Sequence, residues 1–236
     1  MTYKFSNLHT RLDKSVDLIH QFCALVDTCY QGDLNLHNFK MNPWDVIFDN
    51  SAHPVIIMSK QEVIGGSILY VRSLSDKQKL PLEQSSHMDL TQIIKDTGII
   101  INNNICEISK ISVKPKYRDR RITQEVIGII IAKAVRERCD SLFAITTPKT
   151  SRNVNIACNK LGVPYSTIYH DIPDIPLYKG LTIDLTRADL TQLNLSKLTS
   201  NCHFSKLVTE MCDISYRETL SRITLARSNI FLNRIA

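Results

Sequence analysis

Glu107 is the side chain in this sequence whose surroundings best suit proton transfer. It lies in an apolar segment, next to Ile105, Cys106 and Ile108. Burial among such residues disfavours the charged carboxylate and raises the pKa of the carboxyl, which suits a general base working near neutral pH. A salt bridge to a neighbouring strand is the alternative role for the same residue.

Cys106 is a second side chain with reactive chemistry, because a thiolate can act as a covalent nucleophile. No His follows it nearby in the sequence to activate the thiol. Buried cysteines without an activating partner usually behave as small apolar side chains. The sequence therefore favours a packing role for Cys106.

A dense group of positive charges follows this segment. It comprises Lys114, Lys116, Arg118, Arg120 and Arg121. The group precedes a predicted helix, and the first N–H groups of a helix together with its dipole favour a phosphate. We therefore predict an anion site here, to which Ile122 and Thr123 contribute backbone N–H groups. A solvated basic loop is the alternative.

Two strand–helix units position these residues. Hydrophobic patterning predicts a strand over 105–113 and a helix over 123–138, then a strand over 141–147 and a helix from about 151 to Leu161. In this order the basic residues connect a strand to the start of a helix.

The remaining segments are predicted from the same signals. Upstream they give a helix over 15–30 with Asp13 as a cap, and a hairpin over 55–58 and 64–71. Residues 73–104 form a long connection with a short helix near 90–95, and a connection of this length is usually functional or carries its own structure. Downstream, strands are predicted over 165–169 and 180–185.

Residues 188–236 lack Gly and Pro and have a helical pattern. This tail is either an appended helical subdomain or an element through which a homodimer forms. We accordingly divide the chain into a domain over 1–187 and a helical C-terminal extension over 188–236.

The composition excludes several classes of protein. The 236 residues are 43% hydrophobic and 22% charged, which is ordinary for a globular chain, and the net charge of +6 suggests an acidic partner. Seven cysteines occur without a Cys-x-x-Cys pair or zinc-like spacing, so no metal is expected. The basic residues cluster at one bend rather than along an aromatic-studded surface, which argues against a nucleic-acid partner.

No targeting or membrane-spanning segment is expected. The first residues lack the apolar core of a signal peptide. The most apolar run, 126–135, contains Lys133 and is shorter than the roughly 20 residues that a bilayer span needs. The sequence therefore predicts a cytoplasmic protein.

The hairpin and the two strand–helix units together resemble the GNAT acyltransferase superfamily over residues 55–185. The strand Glu107-Ile-Ser109-Lys110-Ile-Ser-Val113 is similar to the Glu-x-Ser-Arg-(Phe/Leu)-x-Val strand of the acyl-homoserine-lactone synthases and the related long-chain N-acyl amino acid synthases. The long insertion with Leu80-Pro-Leu-Glu83 also fits that branch.

The resemblance implies an α/β (α+β) fold with a mixed, twisted sheet flanked by helices, whose central strands at 105–113 and 141–147 splay apart. It implies that Glu107 accepts the proton of an acceptor amine such as an amino acid or S-adenosylmethionine. The donor implied is a fatty acyl group on the phosphopantetheine of an acyl-carrier protein, or acyl-CoA. The residues that would bind the donor are Ile111, Val113, Arg118, Arg120, Arg121, Ile122 and Thr123.

On the acceptor side, the resemblance implies substrate-binding roles for Trp44, Arg72, Lys110 and Thr147, with Phe39 and Phe48 as further pocket residues beside Trp44. Packing in the core is the alternative for Trp44. Lys110 shares a face with Glu107 only if a β-bulge lies between them; otherwise it is a solvated charge at a strand edge, which is the expected case.

Two other functions remain open from the sequence. One is an acetyl-CoA-dependent N-acetyltransferase acting on a protein or a small amine. The other is a degenerate GNAT module that binds a partner without chemistry. The stretch from Arg118 to Thr123 has no glycine where the family's pyrophosphate loop has one, which makes a carrier protein a better donor than acetyl-CoA.

Overall fold

The computed structural model describes residues 8–12, 14–120, 122–173 and 175–193, with the backbone alone at 8–11, 119 and 120. Asp13, Arg121 and residues 194–236 lie outside this part of the chain. The predicted cap, one residue of the anion site and most of the helical extension therefore stay predictions.

The described residues form one mixed sheet. Its strands are β1 (Leu8–Arg11), β2 (Ala52–Ser59), β3 (Glu62–Ser73), β4 (Asn104–Val113), β5 (Cys139–Thr146), β6 (Tyr165–Tyr169) and β7 (Asp184–Asp189). Their order across the sheet is β1-β2-β3-β4-β5-β7-β6. The pair of β4 and β5 is parallel, and the other pairs are antiparallel. This architecture confirms the predicted mixed sheet.

Six helices accompany the sheet in the described residues. They are α1 (Val16–Asp33), α2 (Pro43–Ile47), α3 (Pro81–Ser86), α4 (Leu90–Asp96), α5 (Ile122–Arg136) and α6 (Pro148–Leu161). α5 and α6 pack on one face over a core that includes Ile127, Ile130 and Leu161. α1, α3 and α4 contribute to the core on the other face, which includes Phe22 and Phe143.

Most predicted elements match the structure to within about three residues, but α6 and β7 are displaced, and α2 and α3 were not predicted. α6 begins at Pro148 rather than 151, because Thr147 caps it by accepting the N–H of Thr150 and a proline fits the first helical turn. β7 lies at Asp184–Asp189 rather than 180–185, since pairing with both β5 and β6 fixes its register. β1 was not predicted from the sequence.

Gly66 allows α1 to pack directly on the sheet. A Cβ at this position would lie 2.6 Å from the carbonyl oxygen of Val55 and 2.7 Å from the ring of Phe22. Because neither backbone nor a buried ring can move away cheaply, this position requires glycine. The close approach seats α1 on β3.

No helix within the described ranges is both long and apolar enough to cross a lipid bilayer.

Candidate active site

The parallel strands β4 and β5 separate halfway along their length. Their pairing runs from Asn104 opposite Cys139 to Glu107 opposite Phe143 and ends there. Beyond that point β4 remains paired with β3 as far as Val113, and β5 remains paired with β7. The predicted splay of the central strands is therefore confirmed, and it begins at Glu107.

A cavity of about 240 Å³ lies at this opening. β4 and β5 supply its walls, together with the C-terminal part of α1, the start of α3, the first turn of α6 and the segment around Tyr178. The residues that line it include Tyr30, Pro81, Glu107, Ser109, Lys110, Ile111, Val113, Arg118, Thr123, Thr147, Lys149, Asn153 and Tyr178.

Glu107 lies at the apex of the opening, with 2% of its surface exposed. Burial raises the pKa of its carboxyl to about 7, against opposing effects of the Leu82 N–H, the Lys110 charge and the Ser109 hydroxyl. Its Oε2 accepts the Leu82 N–H at 2.8 Å. A carboxyl with this pKa is partly ionised at neutral pH and can accept a proton there.

A β-bulge places Lys110 on the same face as Glu107. Ser109 is opposite Ile68 and Ser112 is opposite Gly66, so two residues of β4 face Ser67 alone. Within this bulge, Lys110 has a φ of 60°, which is an uncommon backbone conformation for a residue other than glycine. The expectation that Lys110 is a solvated edge charge is therefore wrong.

The ammonium group of Lys110 lies over two aromatic rings. Its Nζ is 5.3 Å from the ring centroids of both Tyr30 and Phe39, which is within cation–π distance. Burial lowers the pKa of this amine, and attraction to Glu107 opposes that effect. Within the part of the chain that the structure describes, Lys110 forms no ion pair at salt-bridge distance, although the charge of Glu107 attracts it.

The aromatic wall of the cavity differs from the one predicted. The ring of Tyr30 stacks on Phe39 at 4.5 Å and lies 6.5 Å from the ring of Tyr178. Trp44 is 44% exposed and stacks on Phe48 outside the cavity. Placing Trp44 in the pocket was therefore wrong, because the short helix α2 turns it outward. Tyr30 and Tyr178 carry no motif that distinguishes them in the sequence.

The basic segment is more neutralised than its composition suggests. Lys114 and Lys116 bind Glu62 at 2.7 and 3.1 Å. Arg118 reaches the cavity, where it binds both carboxylate oxygens of Asp33 at 2.6 and 2.7 Å. Residues 115–120 form a 3-10 turn rather than an irregular bend.

The beginning of α6 adds a cation that was missed from the sequence. Lys149 is exposed and lines the cavity in the first turn of this helix, next to the predicted Thr147. A positive charge beside the N–H groups of a helix start favours an anionic ligand. Of the predicted donor-binding residues, Ile111, Val113, Arg118 and Thr123 line the cavity, whereas Ile122 is fully buried in the core.

Arg72 does not reach the cavity. It is buried and binds Glu83 at 2.9 Å. A substrate-binding role for Arg72 is therefore wrong as a direct contact, because its side chain is buried away from the residues that line the cavity. The Arg72–Glu83 ion pair can influence the cavity only through the residues that lie between them.

Cys106 faces the opposite side of the sheet from Glu107, since neighbours on a strand alternate. It is fully buried in the core beneath α5, and its thiol donates to the Ser141 carbonyl at 3.4 Å. Burial raises the pKa of this thiol well above its ordinary value. It is therefore unsuited to nucleophilic attack.

Metal ligation has no support in the described ranges. No group of three or more His, Cys, Asp or Glu side chains there is arranged to hold an ion.

Comparison with known proteins was made at the level of sequence and of structure. No protein-family model matches the chain, and no curated protein sequence matches it significantly. FeeM, an N-acyl amino acid synthase from uncultured soil microbes, is 13% identical with a TM-score of 0.53, covering 85% of this chain and 97% of FeeM.

Two further solved structures show the same architecture. The AHL synthase LasI is 12% identical with a TM-score of 0.51, covering 78% of this chain and 90% of LasI. The putative acetyltransferase yncA from Salmonella typhimurium, solved with acetyl-CoA, is 8% identical with a TM-score of 0.52, covering 78% and 94%. Together with the splayed strands, these similarities show that the chain has the GNAT acyltransferase fold.

Proposed function

We propose that this protein is an N-acyltransferase that moves a fatty acyl group from a thioester to the amine of a small, carboxylate-bearing molecule. The observation that carries the proposal is Glu107. Its carboxyl has a pKa of about 7 and lies where β4 and β5 part. Strongly perturbed pKa values in a cleft are typical of functional groups.

Direct attack by the amine accounts for the arrangement. The ionised Glu107 carboxylate accepts a proton from the acceptor ammonium, directly or through water. The neutral nitrogen then forms a bond to the thioester carbonyl carbon. When the intermediate collapses, the carbon–sulfur bond breaks and the thiolate takes the second proton of the nitrogen. No covalent enzyme intermediate is required, which agrees with the buried, inert thiol of Cys106.

Backbone groups at the opening suit the charge that develops on the carbonyl oxygen. Past Glu107, the groups of β4 that point toward β5 have no partner in that strand. N–H groups near residues 111–113 would donate to the oxyanion, and preorganised donors of this kind stabilise such intermediates strongly. The same edge would pair with the pantetheine arm of the donor.

The acceptor would bind on the side of α1. Lys110 would hold its carboxylate while Glu107 receives its amine, since the two groups share one face of the bulged strand. The rings of Tyr30, Phe39 and Tyr178 would enclose the body of the molecule. An amino acid, or S-adenosylmethionine, has the required pair of groups.

The donor would approach from the ends of β4 and β5. Arg118, Lys149 and the first turn of α6 surround that end of the cavity and would bind a phosphate. An acyl-carrier protein presents one phosphodiester and an acidic surface, which matches this charge distribution and the glycine-free stretch after Arg118. Arg120 and Arg121 are proposed to add positive charge to this end of the cavity, and acyl-CoA is the second donor.

Two further parts of the chain have proposed roles. Thr147 would contact the substrate, and the tail would serve as an appended subdomain or a dimer contact.

Product analysis tests the proposal. Lipids extracted from cells that overexpress the wild type are compared by mass spectrometry with those from cells that express Glu107→Gln. New N-acyl species should appear with the wild type alone. In vitro, long-chain acyl-carrier protein should be a better donor than acetyl-CoA, and kcat/KM should rise with pH through about 7.

Each alternative function gives a different result in the same assays. Turnover with acetyl-CoA but not with long-chain donors would identify an acetyltransferase. Binding of a donor by wild type and Glu107→Gln, without turnover of any amine by either, would identify a non-catalytic binding module.

A further inference from the structure

The segment between β3 and β4 forms a cover over the candidate base. Its helix α3 begins beside Glu107, and Pro81 and Ser85 from this helix line the cavity. The backbone N–H of Leu82 in the first turn donates to Oε2 of Glu107 at 2.8 Å. The position of α3 therefore decides whether this hydrogen bond forms.

One carboxylate fixes the starts of both helices in this segment. Oε2 of Glu83 accepts the N–H of Leu80 at 2.8 Å, and Oε1 accepts the N–H of Leu90 at 3.0 Å. Oε1 also accepts Nη2 of Arg72 at 2.9 Å, which ties the segment to β3. Both side chains of this ion pair are buried, with 5% and 3% of their surfaces exposed.

We propose that the Arg72–Glu83 ion pair is a positioning device for the candidate base, since it holds α3 where the Leu82 N–H binds the carboxylate of Glu107. The two residues would act through the backbone and touch neither donor nor acceptor. The inference rests on the proposed function only for its catalytic consequence, since the hydrogen bonds themselves are a property of the free protein.

A role in stability alone explains the pair less well. Burying two charges costs solvation free energy that their mutual attraction often fails to recover. Nε of Arg72 is also buried without a hydrogen-bond partner in the described part of the chain, so the guanidinium is incompletely satisfied. A buried ion pair with this arrangement is better explained by the geometry that it imposes on neighbouring groups.

The pair would also tune the base in two opposing ways. The Leu82 N–H lowers the pKa of Glu107, and the negative charge of Glu83 raises it, with the hydrogen bond the larger of the two effects. Burial is nevertheless the largest cause of the raised pKa of Glu107. Loss of the ion pair with no net change in charge should therefore lower this pKa, because release of α3 admits water to the carboxylate and this outweighs the lost hydrogen bond.

The test follows the Glu107 carboxyl directly. The full-length protein is labelled with ¹³C at the glutamate carboxyls, and the Glu107 signal is assigned from its absence in Glu107→Gln. The double variant Arg72→Met/Glu83→Ala removes both charges and the tether together. We expect the midpoint of the Glu107 titration to fall by about 1 pH unit, because burial is the largest cause of the raised pKa and release of α3 reduces it. An unchanged midpoint in the folded variant would overturn the proposal.

Asp140→Ala is the matched control. Asp140 is also a buried carboxylate that fixes a loop, since it accepts the N–H groups of Asn102 and Asn103 at 2.6 and 2.9 Å. This variant should lose stability but leave the Glu107 titration in place. An equal shift of the Glu107 midpoint in Asp140→Ala would overturn the proposal, because it would show a general effect of loosening.

Glu83→Gln provides a second measurement if the double variant does not fold. A glutamine amide can accept fewer of the three hydrogen bonds that the carboxylate receives. Hydrogen exchange of the Leu82 amide should become about tenfold faster, as expected for a weakened hydrogen bond. Unchanged exchange at Leu82 would refute the positioning role. Both measurements need no substrate, so failure to find acyl transfer would refute the proposed function and leave this inference intact.

Discussion

Replacing Glu107 by glutamine should stabilise the protein above pH 7 while it abolishes acyl transfer. The folded-state pKa of this carboxyl is about 7, against an ordinary value of 4.5. Between these two pH values the unfolded chain releases the proton and the folded chain keeps it. The folded state then binds more protons, so the stability of the wild type falls as pH rises through this window.

The size of the effect follows from the same two values. A gap of about 2.5 pH units, at about 1.4 kcal/mol per unit, corresponds to roughly 3 kcal/mol of ionisation cost in the folded wild type above pH 7. Glutamine keeps an oxygen that can accept the Leu82 N–H, but it removes the attraction that Lys110 receives. We therefore expect a net gain of about 1–3 kcal/mol for the variant at pH 8.

Urea denaturation at pH 5 and pH 8 measures this effect. The variant should gain stability relative to the wild type on moving from pH 5 to pH 8. Glu62→Gln is the control: binding to Lys114 lowers the pKa of that carboxyl below 4.5, so its contribution to stability changes only below pH 5. The difference between Glu62→Gln and the wild type should therefore stay constant between pH 5 and pH 8. A Glu107→Gln protein that is less stable than wild type at pH 8, or whose difference from wild type does not vary with pH, would refute the argument.

Three further variants probe separate parts of the structure. Lys110→Met should raise KM by about 10–100-fold for an acceptor that carries a carboxylate, which is the value of a charge-assisted contact. The KM for the decarboxylated analogue of that acceptor should not change. Steady-state kinetics that show equal losses for both acceptors would contradict this role. Cys106→Ala should lose stability in thermal unfolding but keep turnover within about threefold, because a buried core thiol contributes packing alone; an inactive folded variant would contradict that. Gly66→Ala should lose more than about 2 kcal/mol in urea denaturation, since its Cβ would overlap backbone and a buried ring; a loss below 0.5 kcal/mol would show that α1 can move away.

The residues of the candidate site differ in how well the sequence predicted them. Glu107 could be found because its apolar neighbours along the strand predict burial, and burial decides its pKa. The anion site was only partly predictable. The sequence shows a run of basic residues, but it does not show that Glu62 and Asp33, about 50 and 85 residues upstream, neutralise three of them.

Lys110 and Arg72 show the limit of patterns within one segment. A regular strand would place Lys110 opposite to Glu107, and only the register with β3 reveals the bulge that reverses it. Arg72 has an unremarkable place in the hairpin, and its partner Glu83 comes from an insertion whose path depends on contacts with two strands. Among the aromatic residues, both Trp44 and Phe39 were predicted for the pocket. Of these two, Phe39 lies beside Lys110, where it stacks on Tyr30, which the sequence did not single out.

The sequence by itself determined the alternation of strands and helices, the burial of Glu107 and the inert setting of Cys106, because these follow from the polarity of residues that are neighbours along the chain. The tertiary structure alone decided where β4 and β5 part. It also decided that Lys110 faces the carboxylate of Glu107 and that the start of α3 donates a hydrogen bond to that carboxylate. Each of these depends on hydrogen bonds and contacts between segments that are distant in sequence, and local patterns contain no information about that pairing.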